Sequence, residues 1–161
     1  MGIGPDYDIY YGKNEKRITD WDAGLFFNVN FQSGSRLQGA LLRWDYTYLF
    51  NSFDPTNQGG VELAAGTEYT YYSNRLSFIS NNRKKIFYTL NGRIGDYFNG
   101  QISQLLSTVS IRLNTFGIIS LIANYTKINL PSPYSDAALW LVGPRAELSF
   151  SKSLFLNTFL Q

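Results

Sequence analysis

The stretch TDWDAGLFFNVNFQ, residues 19–32, sets Trp21, Ala23, Leu25, Phe27, Val29 and Phe31 at every second position, with Asp20, Asp22, Gly24, Asn28, Asn30 and Gln32 between them. Side chains of an extended chain point alternately to two faces, so a period of two predicts a strand with one apolar and one polar side. Phe26 alone intrudes on the polar side. Strands of soluble proteins average ~5–6 residues, and this alternation runs much longer. It suits the ~9–11 residues that carry a tilted strand across a bilayer.

Working outward from this stretch, the same period predicts strands at 7–12, 19–32, 37–51, 67–80, 85–95, 102–113, 118–128, 138–150 and 154–161, with no helical periodicity. Ser33-Gly34, Asn81-Asn82, Asn114-Thr115 and Ser151-Lys152 read as tight turns, whereas 13–18, 52–66, 96–101 and 129–137 read as longer loops. Every second connection is therefore short, as in a meander with short turns at one rim and longer loops at the other. The expected fold is all-β: one domain over 1–161, an antiparallel up-and-down transmembrane β-barrel of about eight or nine strands, or part of a larger barrel.

Faces follow strand by strand. Ala40, Leu42, Trp44, Tyr46, Tyr48 and Phe50 oppose Arg43, Asp45, Thr47 and Asn51; Leu105, Val109, Ile111 and Leu113 oppose Gln104, Thr108, Ser110 and Arg112. Trp140, Val142, Ala146, Leu148 and Phe150 oppose Arg145, Glu147 and Ser149. Charged side chains thus fall on one face, and the expected lumen-lining set is Arg43, Asp45, Arg75, Arg93, Arg112, Arg145 and Glu147. Trp21, Trp44, Tyr46, Tyr48, Tyr125 and Trp140 fall toward the long-loop rim, as a membrane-interface girdle requires, because amphipathic rings settle among headgroups. Phe31, Phe116 and Phe150 sit near the short turns, with Tyr88 in the opposite girdle. Residues 67–80 have no clean face, and Pro144, which lacks an N–H, predicts a local defect in its strand.

Composition narrows the function. Fourteen Lys and Arg against twelve Asp and Glu leave a net charge of +2, without the concentrated basic face that nucleic acid requires. Aromatic residues make up 17% of the chain, yet no apolar run approaches the ~18 residues of a membrane helix. Cysteine is absent, so disulfides and thiolate chemistry are excluded, and histidine is absent, so no imidazole relays protons. No enzyme and no cofactor are expected. Glu15, Asp20 and Asp22 offer oxygen ligands for calcium at the rim, or are simply solvated acids. Asn124-Tyr125-Thr126 matches a glycosylation acceptor by chance in mid-strand. Tyr134, and Tyr97 with Phe98, are loop-end aromatics that bind sugars or a partner, or pack the rim. Residues 1–12, with Asp6 and Asp8, have no apolar core of a signal peptide, so a mature segment or an excised piece is expected.

Several short motifs add a resemblance: Gly66-Thr-Glu-Tyr69, Gly95-Asp-Tyr-Phe-Asn-Gly100, residues 124–131 with Leu130-Pro131, Arg145 followed by Ser149-Phe-Ser151, and Phe159-Leu-Gln161. In these the chain resembles the carboxy-terminal barrel of a bacterial domain-of-unknown-function family, in which a carbohydrate-binding-like domain precedes an outer-membrane barrel. The resemblance covers 66–161, lacks the amino-terminal domain, and stops where family members continue. It implies a location in the bacterial cell outer membrane.

The expected function is a pore or transport conduit, or a membrane scaffold in a larger complex. Its partners would be the lipid bilayer and other outer-membrane or periplasmic subunits, with no nucleic acid. The lumen charges would set a field for polar solutes, or pair across strands and fill a narrow interior. The alternative is a soluble up-and-down β-barrel whose apolar face turns inward around a hydrophobic ligand.

Overall fold

Period-two alternation is realised as nine antiparallel strands in chain order: β1 Gly2–Gly12, β2 Arg17–Asn30, β3 Arg36–Tyr48, β4 Glu68–Ile79, β5 Ile86–Tyr97, β6 Gly100–Arg112, β7 Gly117–Asn129, β8 Ala137–Ser149 and β9 Phe155–Phe159. This is a computed structural model, and it describes residues 1–14, 16–151 and 153–160. Each strand pairs with the next, giving one up-and-down sheet. The expectation of a barrel is corrected in one respect: the sheet is open, with β1 and β9 at its two ends rather than paired to each other. Closure needs backbone partners for both edges, and these nine strands do not supply them to one another.

Element boundaries move where turn chemistry outweighs the hydrophobic pattern. Strand β1 starts at Gly2 rather than Tyr7; its Pro5 is tolerated because an edge strand has no partner waiting on one side. The expected long loop at 96–101 is a hairpin turn, Phe98-Asn99, between β5 and β6. Phe98 takes a positive φ of 51° there. The short turns at 33–34, 81–82 and 114–115 lie within connections 31–35, 80–85 and 113–116, all at one rim. Of the fourth, Ser151-Lys152, Lys152 lies outside the described residues, as does Gln161 at the end of the last expected strand.

A bulge reorders the faces of β3. Leu25 pairs with Leu42 but Phe26 pairs with Ala40, leaving Leu41 unmatched, and the same region shifts register against β4. One extra residue reverses the alternation beyond it. Ala40 therefore lies on the polar face, not the apolar one, and Phe26 belongs there with it, under the Arg43 guanidinium at 5.9 Å. Register also resolves 67–80. Tyr69, Tyr71, Ser73, Arg75 and Ser77 share the polar face, while Tyr72, Leu76 and Phe78 share the apolar one.

The defect expected at Pro144 does not occur. β7 and β8 pair without a shift from Gly117↔Leu148 to Ile128↔Ala137, including Leu121↔Pro144. Pro144 directs its backbone toward β9, where its carbonyl accepts from Leu160 N at 3.1 Å. Its missing donor thus falls on the side where β9 pairing ends, and no β7 bond is lost.

The sheet curves so that the polar face is concave, because residues from β1 through β6 together line one groove of about 740 Å³. Buried apolar side chains are few. Ile102, Ile128, Leu130 and Ala137 form a small cluster with Tyr97 and Tyr134 at the long-loop rim. The apolar face is left bare. Trp44 is 41% exposed, Leu105 49% and Trp140 70%.

Candidate functional site: a charged groove and an outer aromatic band

The polar face of β2 to β5 carries a row of charges set by register. Arg43 lies opposite Gly24, where the Phe26 ring fills the space a side chain would take, and Arg43 reaches Asp22 on β2 at 3.2 Å and Asp45 at 2.9 Å. The other oxygen of Asp45 lies 3.4 Å from Arg75 on β4. The side chains of Arg43 and Asp45 are only 19% and 12% exposed, so their mutual contact offsets the loss of hydration that burial imposes. Arg75 is in turn the direct cross-strand partner of Arg93 on β5. The Arg93 guanidinium stands 5.3 Å from the centre of the Tyr97 ring.

Of the seven expected lumen residues, Arg43, Asp45, Arg75 and Arg93 thus come together, and three do not. Arg112 lies at the short-turn rim, where it donates to the Asn82 carbonyl at 2.8 Å. Arg145 and Glu147 pair with each other on β8, and both are half-exposed, so the pair stabilises little. Asp22 was missing from the expected set. Alternation places it on the right face, but only the pairing of β2 with β3 brings it to Arg43. Its engagement there removes it from the candidate calcium set, of which Glu15 lies outside the described residues.

The groove beside this row is lined by Asp6, Asn28, Gln38, Ser77, Asn91 and Gln104 together with Arg75 and Arg93. Asn124 serves the sheet, since its side-chain oxygen accepts from Ser107 N at 3.2 Å.

The connection 49–67 folds over the groove's long-loop end. Its turn is built on Asp54, whose carboxylate accepts from Thr56 N at 2.8 Å, Thr56 Oγ1 at 2.6 Å, and Gln58 N and Gly60 N at 2.9 Å. These donors hold the Asp54 carboxyl well below the usual carboxylate range. A bridge between Phe53 and Leu63 closes the loop, and Leu63 is fully buried. Phe53 packs on Phe98 at 5.1 Å, and Phe98 meets Tyr69 at 5.5 Å and Tyr71 at 5.6 Å. A Cβ on Gly60 would lie 2.8 Å from Ser135 Oγ, so the loop also abuts connection 130–136. Tyr97, Phe98 and Tyr134 accordingly pack the rim.

On the opposite face the expected girdle residues meet in pairs. Trp21 stacks on Tyr46 at 6.0 Å and Tyr125 lies against Trp140 at 4.5 Å. Trp44 contacts Tyr72 at 5.7 Å and Tyr7 contacts Trp21 at 6.3 Å, adding two rings that the sequence did not assign to the band. Arg17 lies over the Tyr48 ring at 4.1 Å and pairs with Glu68. Near the short-turn rim, Phe78 stacks on Tyr88 at 5.7 Å.

No protein-family model, curated protein or solved structure matches the chain.

Proposed function

We propose that this chain is the wall of an outer-membrane β-barrel, whose bare apolar face meets lipid and whose concave polar face borders a conduit for polar solutes within a larger complex. One observation carries the reading: the large apolar side chains stand exposed on the outer curve, while the charged row lies in the hollow. An exposed apolar area of this extent on a water-soluble monomer would drive association. In hydrocarbon it is matched by its solvent, and the paired Trp and Tyr residues sit where headgroups would begin. β2 has 14 residues and β4 has 12, more than the ~9–11 a spanning strand requires. The opposite arrangement, a soluble barrel with a greasy interior, would need Trp44, Leu105 and Trp140 in the hollow.

The open edges support the larger-complex part of the reading. β1 and β9 run in the same direction, since eight antiparallel steps separate them. A strand antiparallel to both would fill the gap and satisfy their unpaired backbone groups.

Refolding into lipid vesicles followed by density flotation tests insertion. The protein should float and resist alkaline carbonate extraction; a chain that stays monodisperse in buffer without detergent overturns the membrane reading. Conductance steps in planar bilayers are expected for a conduit. Well-inserted protein that gives none is a scaffold.

A further inference from the structure

Within the groove the charges do not balance. Arg75 and Arg93 face each other across β4 and β5, and like charges directly opposite repel. Arg75 has one carboxylate neighbour, Asp45 at 3.4 Å, whose other oxygen is held closer by Arg43. Among the described residues no carboxylate forms an ion pair with Arg93, and its guanidinium rests over Tyr97. The Nε of both arginines is buried without an acceptor, so turning either guanidinium toward a new partner breaks no Nε hydrogen bond. The one acid among the groove's lining residues is Asp6, on β1. The groove is also lined by the amides of Asn28, Gln38, Asn91 and Gln104 and the hydroxyl of Ser77, groups that orient a polar solute without adding charge.

From this we infer that Arg75 and Arg93 form an oxyanion-binding station in the groove, taking the carboxylate or phosphate group of a polar solute. A guanidinium presents a planar fork of N–H donors that matches two oxygens of such a group. Two forks on neighbouring strands place that preference at a fixed height along the conduit. A groove of about 740 Å³ has room for a small organic anion with its polar body among the amides. The inference deepens the conduit reading and rests on it for the enclosure of the groove. Binding and insertion are nonetheless read separately.

The test is calorimetric titration of the whole 161-residue chain, held in detergent, with inorganic phosphate in one arm and acetate in the other. Saturable binding of at least one is expected, and the stronger arm identifies the group. Arg93→Gln should weaken it at least tenfold and Arg93→Lys by less, since charge is kept and the fork is lost. Arg83→Gln, which removes the same charge from the 80–85 turn, should leave it unchanged. Absence of saturable binding by protein that floats with vesicles overturns the station alone, as does an equal loss in Arg83→Gln and Arg93→Gln. Binding by protein that fails to float keeps the station and overturns the membrane reading.

Discussion

Single residues decide how tightly this sheet can curve. Gly95 takes a φ of 142°, and a Cβ there would come within 2.7 Å of Ser73 Cα and press on the Tyr72 carbonyl. Ser73 is itself fully buried, so the neighbouring strand has nowhere to retreat. Gly95→Ala should therefore destabilise the fold by about 1–3 kcal/mol, the cost of a side chain in such a conformation. Gly92→Ala is the control, because a Cβ there meets nothing within 4 Å. Urea midpoints of the two variants in detergent should differ accordingly; equal midpoints would remove Gly95 as a point of strain. The residue scale is also where alternation misled. Ala40 was assigned by parity to the apolar face, and the unpaired Leu41 beside it reverses parity; Phe26 keeps the polar-side position that alternation gave it. No local signal in 36–48 marks that bulge.

Among the elements, connection 49–67 is the least legible in sequence and the most organised in structure. Pro55, Asn57 and the pair Gly59-Gly60 read as a flexible loop, yet the Asp54 carboxylate gathers Thr56, Gln58 and Gly60 around itself, with Asn57 and Gly59 at positive φ of 55° and 76°. Its folded-state pKa lies below the unfolded value of ~3.9, so the negative charge favours the ordered loop above that pH. This contribution is fully present at neutral pH and is lost as pH falls through the depressed folded value. Hydrogen exchange at Gln58 and Gly60, corrected for intrinsic rates, should stay protected from pH 7 down to about 4 and open only below it. Asp54→Asn should show weaker protection with no such transition. An Asp54→Asn loop as protected as the parent would mean that Phe53, Leu63 and Phe98 hold the cap without the carboxylate. Strand existence and order, by contrast, were readable, because the strands other than β4 carry their own two-sided pattern; the faces of β4 came only from its register.

At the scale of the molecule, the absence of cysteine makes single-cysteine variants a direct probe of which face meets lipid. In vesicles, a water-soluble maleimide should label Val61→Cys in connection 49–67 and spare Leu105→Cys on the apolar face. A lipid-soluble maleimide should reach both, and urea should make both reactive. Equal labelling of the two sites by the water-soluble reagent would sink the lipid-facing assignment. The charged site shows the same division of information. Arg43, Asp45, Arg75 and Arg93 were legible as polar-face residues, but their grouping apart from Arg112, Arg145 and Glu147 depends on height in neighbouring strands, which alternation does not encode.

The sequence by itself determined that this chain is antiparallel β, that its strands are two-faced, and in which order and direction they run. Those properties are local, written in a period of two and, apart from 49–67, in connections too short for crossovers. Only the tertiary structure decided the curvature that makes the polar face the hollow one, the bulge that reverses part of β3, the meeting of Asp22 with Arg43 and of Arg75 with Arg93, and the open edges at β1 and β9. These depend on hydrogen-bond register between strands, and register is a relation between segments that no single segment carries.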